Sequence, residues 1–124
     1  AVDAMNRQDF DAFSRAWTAD AELDWSRAVG PLHGVYGIDR MRWFWDELLD
    51  PWESMRIELD KVIDAGNEVV TVQTSHLRGR DGIEVQARAT QVWTIRDGKI
   101  ARIRLYQEEH DALEALGLLK QGPD

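Results

Sequence analysis

Gln91, His76 and Asp24 are the residues of this 124-residue chain whose types and positions suit chemistry on a bound molecule. Gln91 is the one polar side chain on the apolar parity Val85, Ala87, Ala89, Gln91, Trp93 and Ile95, and a lone amide among apolar strand neighbours marks a pocket wall. An amide has no accessible pKa, so Gln91 orients or polarises an oxygen and abstracts no proton. An imidazole does that work near neutral pH. His76 shares a parity with Val70, Val72 and Thr74, which aims it at the face where Gln91 sits on the neighbouring strand. With His76 as base and Gln91 as polariser, such a site would enolise a ketone or activate water, with Tyr36 or Tyr106 as the acid. The plainer alternatives are a structural histidine near a strand end and an amide paired within the protein. Asp24 lies on the outward parity beside Trp25, whose own parity with Ala21 and Leu23 puts it, with Trp93, in the cavity wall. Asp24 therefore reads as a solvated strand carboxylate unless a bulge exchanges it with Trp25 and makes it the base.

The elements that hold these residues follow from periodicity. Val2 and Met5 read as the end of a helix truncated at its start, Asn6-Arg7-Gln8 as a break, and Asp9 as the N-cap of a short helix burying Phe10, Phe13 and Trp17. A strand over 21–26 leads into an irregular loop marked by Gly30-Pro31 and Gly34. Residues 37–49 predict a helix with Ile38, Met41, Trp45 and Leu48 on one stripe and Trp43 off it, ended at Asp50-Pro51 because proline disfavours helix in the residue before it. Beyond it the pattern is strand. Met55, Ile57 and Leu59 alternate, residues 64–67 turn, Val70 to His76 continue, and Gly79 to Gly82 turn into the Gln91 strand. Arg96-Asp97-Gly98-Lys99 is a two-residue hairpin turn into residues 100–105, and a short helix over 110–116, with Leu113 and Leu116 inward, stops at Gly117. This order predicts an α+β fold: a cone of N-terminal helices packed on a strongly curved, mostly antiparallel sheet around an internal pocket.

Composition narrows the partners. Hydrophobic residues at 44% and charged residues at 31% are ordinary for a globular chain, and the length suits one domain over 1–124. No apolar run reaches 18 residues, so a soluble chain without a membrane partner is expected. A net charge of −8 repels nucleic acid and anionic lipid. The lack of cysteine excludes thiol catalysis and fits a cytoplasmic location. His33, His76 and His110 have no metal-site spacing, and no glycine-rich loop between strand and helix cradles a nucleotide, so neither a metal nor a cofactor is expected.

Four stretches carry a resemblance when taken in order: Ala4-Met5-Asn6-Arg7-Gln8-Asp9-Phe10-Asp11, Gly34-Val35-Tyr36-Gly37, Val92-Trp93-Thr94-Ile95-Arg96-Asp97-Gly98-Lys99-Ile100, and Ala112-Leu113-Glu114-Ala115-Leu116-Gly117-Leu118. Together they span nearly the whole chain and resemble the nuclear transport factor two-like superfamily, in particular its SnoaL-like and ketosteroid-isomerase-like branch. The resemblance implies a pocket at the open end of the cone for hydrophobic, carbonyl-bearing ligands, with a carboxylate base and donors to an enolate-like oxyanion. By position, the isomerase branch's tyrosine donor, aspartate base and protonated aspartate donor fall at Ala1, Trp25 and Gln91. The cyclase branch's base and partner histidine fall at Gln91 and near His76. The resemblance also implies a homodimer through the outer sheet face, and the run Glu84, Gln86, Arg88, Thr90, Val92, Thr94, Arg96, charged at its ends and uncharged between, suits that pairing. The expected function is a pocket for a small hydrophobic molecule. It serves either a cofactor-free isomerase, cyclase or hydrolase of a carbonyl-like compound, or a non-catalytic binding or dimerisation module.

Overall fold

The computed structural model describes residues 2–28 and 30–117; Ala1 and Leu118, named above, lie outside them. Two short helices, α1 (Val2–Asn6) and α2 (Phe10–Arg15), are separated where Gln8 takes a left-handed backbone with φ 54°. Asp9 caps α2 as expected, its carboxylate accepting from the Ala12 amide at 3.0 Å. Asn6 does more than break a helix. Its side chain donates to the Ile57 carbonyl at 2.9 Å and accepts from the Ile57 amide at 2.6 Å, as a paired strand would.

The first strand starts earlier than its alternation indicates, giving β1 (Trp17–Asp24), and the glycine-bearing loop contains an unforeseen strand, β2 (Val35–Gly37), antiparallel to it. Ile38–Arg40 forms a 3₁₀ turn before α3 (Met41–Leu49), which buries Met41, Phe44 and Trp45. Ile38, expected on that stripe, is 39% exposed because the tighter turn rotates it off the helix face. The strands β3 (Trp52–Ala65), β4 (Glu68–Gly79), β5 (Glu84–Arg96) and β6 (Lys99–Tyr106) form the expected antiparallel meander. β1 joins β6 in parallel, so the sheet is mixed and open, in the order β2-β1-β6-β5-β4-β3. Asp97 and Gly98 both have positive φ, 53° and 76°, as the Asp-Gly turn requires. Register shifts after Trp17, Leu59 and Thr94 bend the sheet. The fold is α+β.

The sheet has a core on each face. On the inner face, α1, α2 and α3 bury Phe13, Trp17, Leu23, Phe44, Trp45, Trp93 and Ile103. On the outer face α4 (Glu109–Ala115) covers Val70, Val92 and Tyr106, using Ala112 and the following Leu116 where Leu113 and Leu116 had been expected. On the face expected to pair, the chain's own helix thus packs on Val70 and Val92, which are fully buried. No helix among the described residues is long and apolar enough to cross a membrane.

Candidate functional site

A chamber of about 260 Å³ lies between the inner sheet face and the helices. Met5, Trp25, Leu48, Gln91 and Trp93 line both this chamber and a deeper recess of about 30 Å³. The space exists because β5 presents only Ala87 and Ala89 along this wall, and their methyl groups do not fill it. Gln91 is buried in the wall, as its parity indicates, and among the described residues none hydrogen-bonds its amide. Trp25 and Trp93 line the chamber as expected, Trp25 standing edge-on to Phe44 at 4.8 Å.

β4 contributes to the chamber as well, through residues not expected there. Gln73, Ser75 and Leu77 line the chamber, with Trp52 from β3. The Trp93 indole Nε1 donates to Thr71 Oγ1 at 2.8 Å, and the Thr71 hydroxyl donates to Gln73 Oε1 at 3.0 Å. Gln91 faces Thr71 across the ladder, so Gln73 is its diagonal neighbour on the same face. The signal was present in the alternation Thr71, Gln73, Ser75, a polar parity set against Ala87, Ala89 and Gln91.

His76 does not join this site. Its ladder partner is Gln86, on the face opposite Gln91. The turn explains the inversion: the Gly79 amide bonds the Ile83 carbonyl at 2.8 Å, so the loop encloses three residues, Arg80 to Gly82. A two-residue loop would have put His76 on the inner face; one further residue turns every side chain of the strand over. On the outer face His76 Nε2 meets Glu58 Oε1 at 3.0 Å, and its Nδ1 lies 3.3 Å from the Gln86 amide.

Tyr106 is likewise turned outward. The register shift between Thr94 and Ile95 pairs Gln91 with Leu105, so Leu105 faces the chamber and Tyr106 lies opposite Thr90 under α4. Arg27 stacks on its ring at 4.4 Å. Tyr36 packs in the inner core but not on the chamber, and its hydroxyl donates to the Leu32 carbonyl at 2.8 Å.

Asp24 and Trp25 keep the places their parity gave them, because the register shift in β1 falls before Glu22. Asp24 is nevertheless buried, which corrects the solvated reading. Ser26 donates to it through its hydroxyl (2.6 Å) and amide (3.0 Å), and Arg102 and Arg27 pair with it at 3.3 and 3.7 Å. Burial pushes its carboxyl up, but the Ser26 bonds and the two guanidinium groups outweigh this and hold it below the ordinary value.

The described residues that line the chamber include no carboxylate, imidazole or phenol; the one ionisable residue, Arg88, has a side chain 70% exposed and sits on the outer parity. The described lining can therefore bind, orient and polarise, but supplies no group that takes a proton near neutral pH.

The sequence comparison identifies the class. A SnoaL-like domain model matches residues 1–103, and the chain belongs to the SnoaL-like family. Among curated proteins none matches the sequence significantly. Solved structures share the fold at low identity. TerC, crystallised with polyporic acid, is 19% identical with a TM-score of 0.75, covering 94% of this chain and 92% of its own. AclR, a putative hydroxylase from Streptomyces galilaeus, is 17% identical with a TM-score of 0.70, covering 98% and 83%. A putative polyketide cyclase from Sinorhizobium meliloti is 22% identical with a TM-score of 0.64, covering 85% and 88%.

Proposed function

We propose that this SnoaL-like chain binds an uncharged, largely apolar small molecule carrying at least one oxygen, and that it acts by holding and orienting that molecule rather than by acid–base catalysis. The observation that carries this reading is Gln91: an amide in a buried residue, unpaired by the described residues, in the wall of a chamber whose described lining holds no group for proton transfer. The amide has no hydrogen-bond partner among the described residues and opens onto the chamber, so a ligand oxygen or hydroxyl can bond it there. Size fits as well. An apolar cavity of about 150 Å³ takes benzene, and about 260 Å³ gives room for a bicyclic compound. A neighbour crystallised with polyporic acid supports a small organic molecule as the partner.

The test is titration with 2-acetylnaphthalene, followed by tryptophan fluorescence, since Trp25 and Trp93 form the wall. The expected result is saturable binding that weakens about tenfold in Gln91→Leu. Absence of saturable binding for this and other bicyclic ketones would end the reading.

A further inference from the structure

Resting on that reading, we infer that Trp93, Thr71 and Gln73 form a hydrogen-bond relay of fixed polarity that makes the chamber select ligands whose oxygen accepts. The direction is set at the indole, which can only donate. Its Nε1 hydrogen goes to Thr71 Oγ1 at 2.8 Å. The hydroxyl then has one hydrogen of its own to place, and the partner it has among the described residues is Gln73, at 3.0 Å. If the Gln73 amide were turned round to donate, the Thr71 hydrogen would be left without an acceptor in a residue only 5% exposed, a condition folded proteins avoid. Gln73 Oε1 therefore accepts, and both Nε2 hydrogens, the end of the relay, are left to the chamber that Gln73 lines.

The Trp25 indole N–H, in the same wall, is buried away from the chamber and adds no donor to it. Gln91 and Ser75 can donate or accept according to the ligand. Gln107, at the exposed rim, gives its amide hydrogen to the Arg27 carbonyl at 2.9 Å. Among the described residues the interior thus has a donor of fixed direction and adaptable groups, but no acceptor of fixed direction. The ligand class this admits is the acceptor-only oxygen on an apolar frame, such as a ketone, quinone or lactone. An N–H heterocycle of the same shape faces the relay with a hydrogen of its own. Because the relay bonds polarise one another, the Gln73 donor is stronger than an isolated amide.

The experiment compares two ligands of nearly equal size, 1-indanone, which only accepts, and indole, whose nitrogen only donates, by NMR titration of the full chain. Both can meet Gln91 equally well, so the difference between them reads the relay. Wild type is expected to bind 1-indanone about tenfold more tightly. Thr71→Ser keeps that ratio. Thr71→Val, in which Gln73 is free to turn, brings the two ligands to within about threefold of each other. Equal binding by wild type, or a ratio unmoved by Thr71→Val, overturns the relay and leaves the chamber reading standing. No saturable binding of either ligand by wild type overturns both. If Thr71→Val does not fold, Gln73→Leu, which removes the end of the relay, decides by the same ratio.

Discussion

The two faces of the sheet differ in what their polar groups are doing. On the outer face, groups capable of proton chemistry are tied to one another: Glu58 to His76, Asp60 to Thr74, Glu68 to Arg104, and Asp24 to Ser26, Arg27 and Arg102. On the inner face the polar groups are amides and hydroxyls that titrate nowhere near neutral pH, and two of them, Gln91 and the Gln73 Nε2, open onto empty space. The difference teaches that residue type does not locate this site. The outer-face carboxylates and His76 are bound to partners within the chain, whereas the uncharged amides of the inner face open onto the chamber, where a ligand would meet them.

The largest effect is expected where both roles meet. Trp93 packs in the inner core, lines the recess and the chamber, and begins the relay. Trp93→Ala should cost about 3–5 kcal/mol, read as a lower urea midpoint, and abolish binding as well. A midpoint unchanged within error would mean that the inner face is not the main core.

Next comes the outer face alone. Asp24→Asn should lower stability by about 2 kcal/mol at neutral pH, because it strips the charge from a buried carboxylate serving Ser26, Arg27 and Arg102. The pH dependence follows from the lowered pKa. A carboxyl held below its ordinary value of 3.8 stabilises the fold above about pH 4, and that contribution is lost as the pH falls through the lower folded value. Melting curves across this range should show wild type and Asp24→Asn converging as acid is added. Ligand affinity at neutral pH should be the same for both.

Gln91→Leu should do the reverse. Affinity for the ketone falls about tenfold, while stability changes by less than about 1 kcal/mol, since an amide that no described residue hydrogen-bonds is replaced by an apolar side chain of similar volume. Equilibrium binding and thermal melts on one sample separate the two. A loss of stability without a loss of affinity would make Gln91 a structural residue.

Much of this contrast was written locally and is legible without coordinates. The Asp9 cap, the Asp97-Gly98 turn, the stop before Pro51 and the inward parity of Gln91 each depend on a few neighbouring residues. What failed was register between strands. The loop after Gly79 holds three residues rather than two, and Ala101, unpaired between Ile100 and Arg102, is an added residue that shifts the rest of β6; these two local changes moved His76 and Tyr106 from the inner face to the outer. The apolar parity of Val70 and Val72 also misled, because the rule that apolar residues face the core assumes one core, and α4 makes a second on the far side. Gln73 stayed hidden for the same reason: its polar parity reads as solvent-facing until the register places it against Ala89.

The smallest expected effect tests the comparison most directly. His76 has a side chain 27% exposed, and its partner Glu58 is 52% exposed, so their bond is a solvated cross-strand pair of the kind worth about 0.2–1 kcal/mol. His76→Ala should therefore lower stability by less than about 1 kcal/mol and leave ketone affinity within about twofold of wild type, at neutral pH and at mildly acidic pH alike. Its imidazole reaches the chamber by no hydrogen bond among the described residues, since Glu58 and Gln86 occupy both ring nitrogens on the opposite face. A null result here alone would say little. Set beside a tenfold loss in Gln91→Leu, it separates the faces by function, because two side chains on adjacent strands would then differ in effect according to the side of the sheet they occupy. The opposite outcome, a tenfold loss of affinity or of a pH-dependent activity in His76→Ala with Gln91→Leu silent, would move the working site to the outer face.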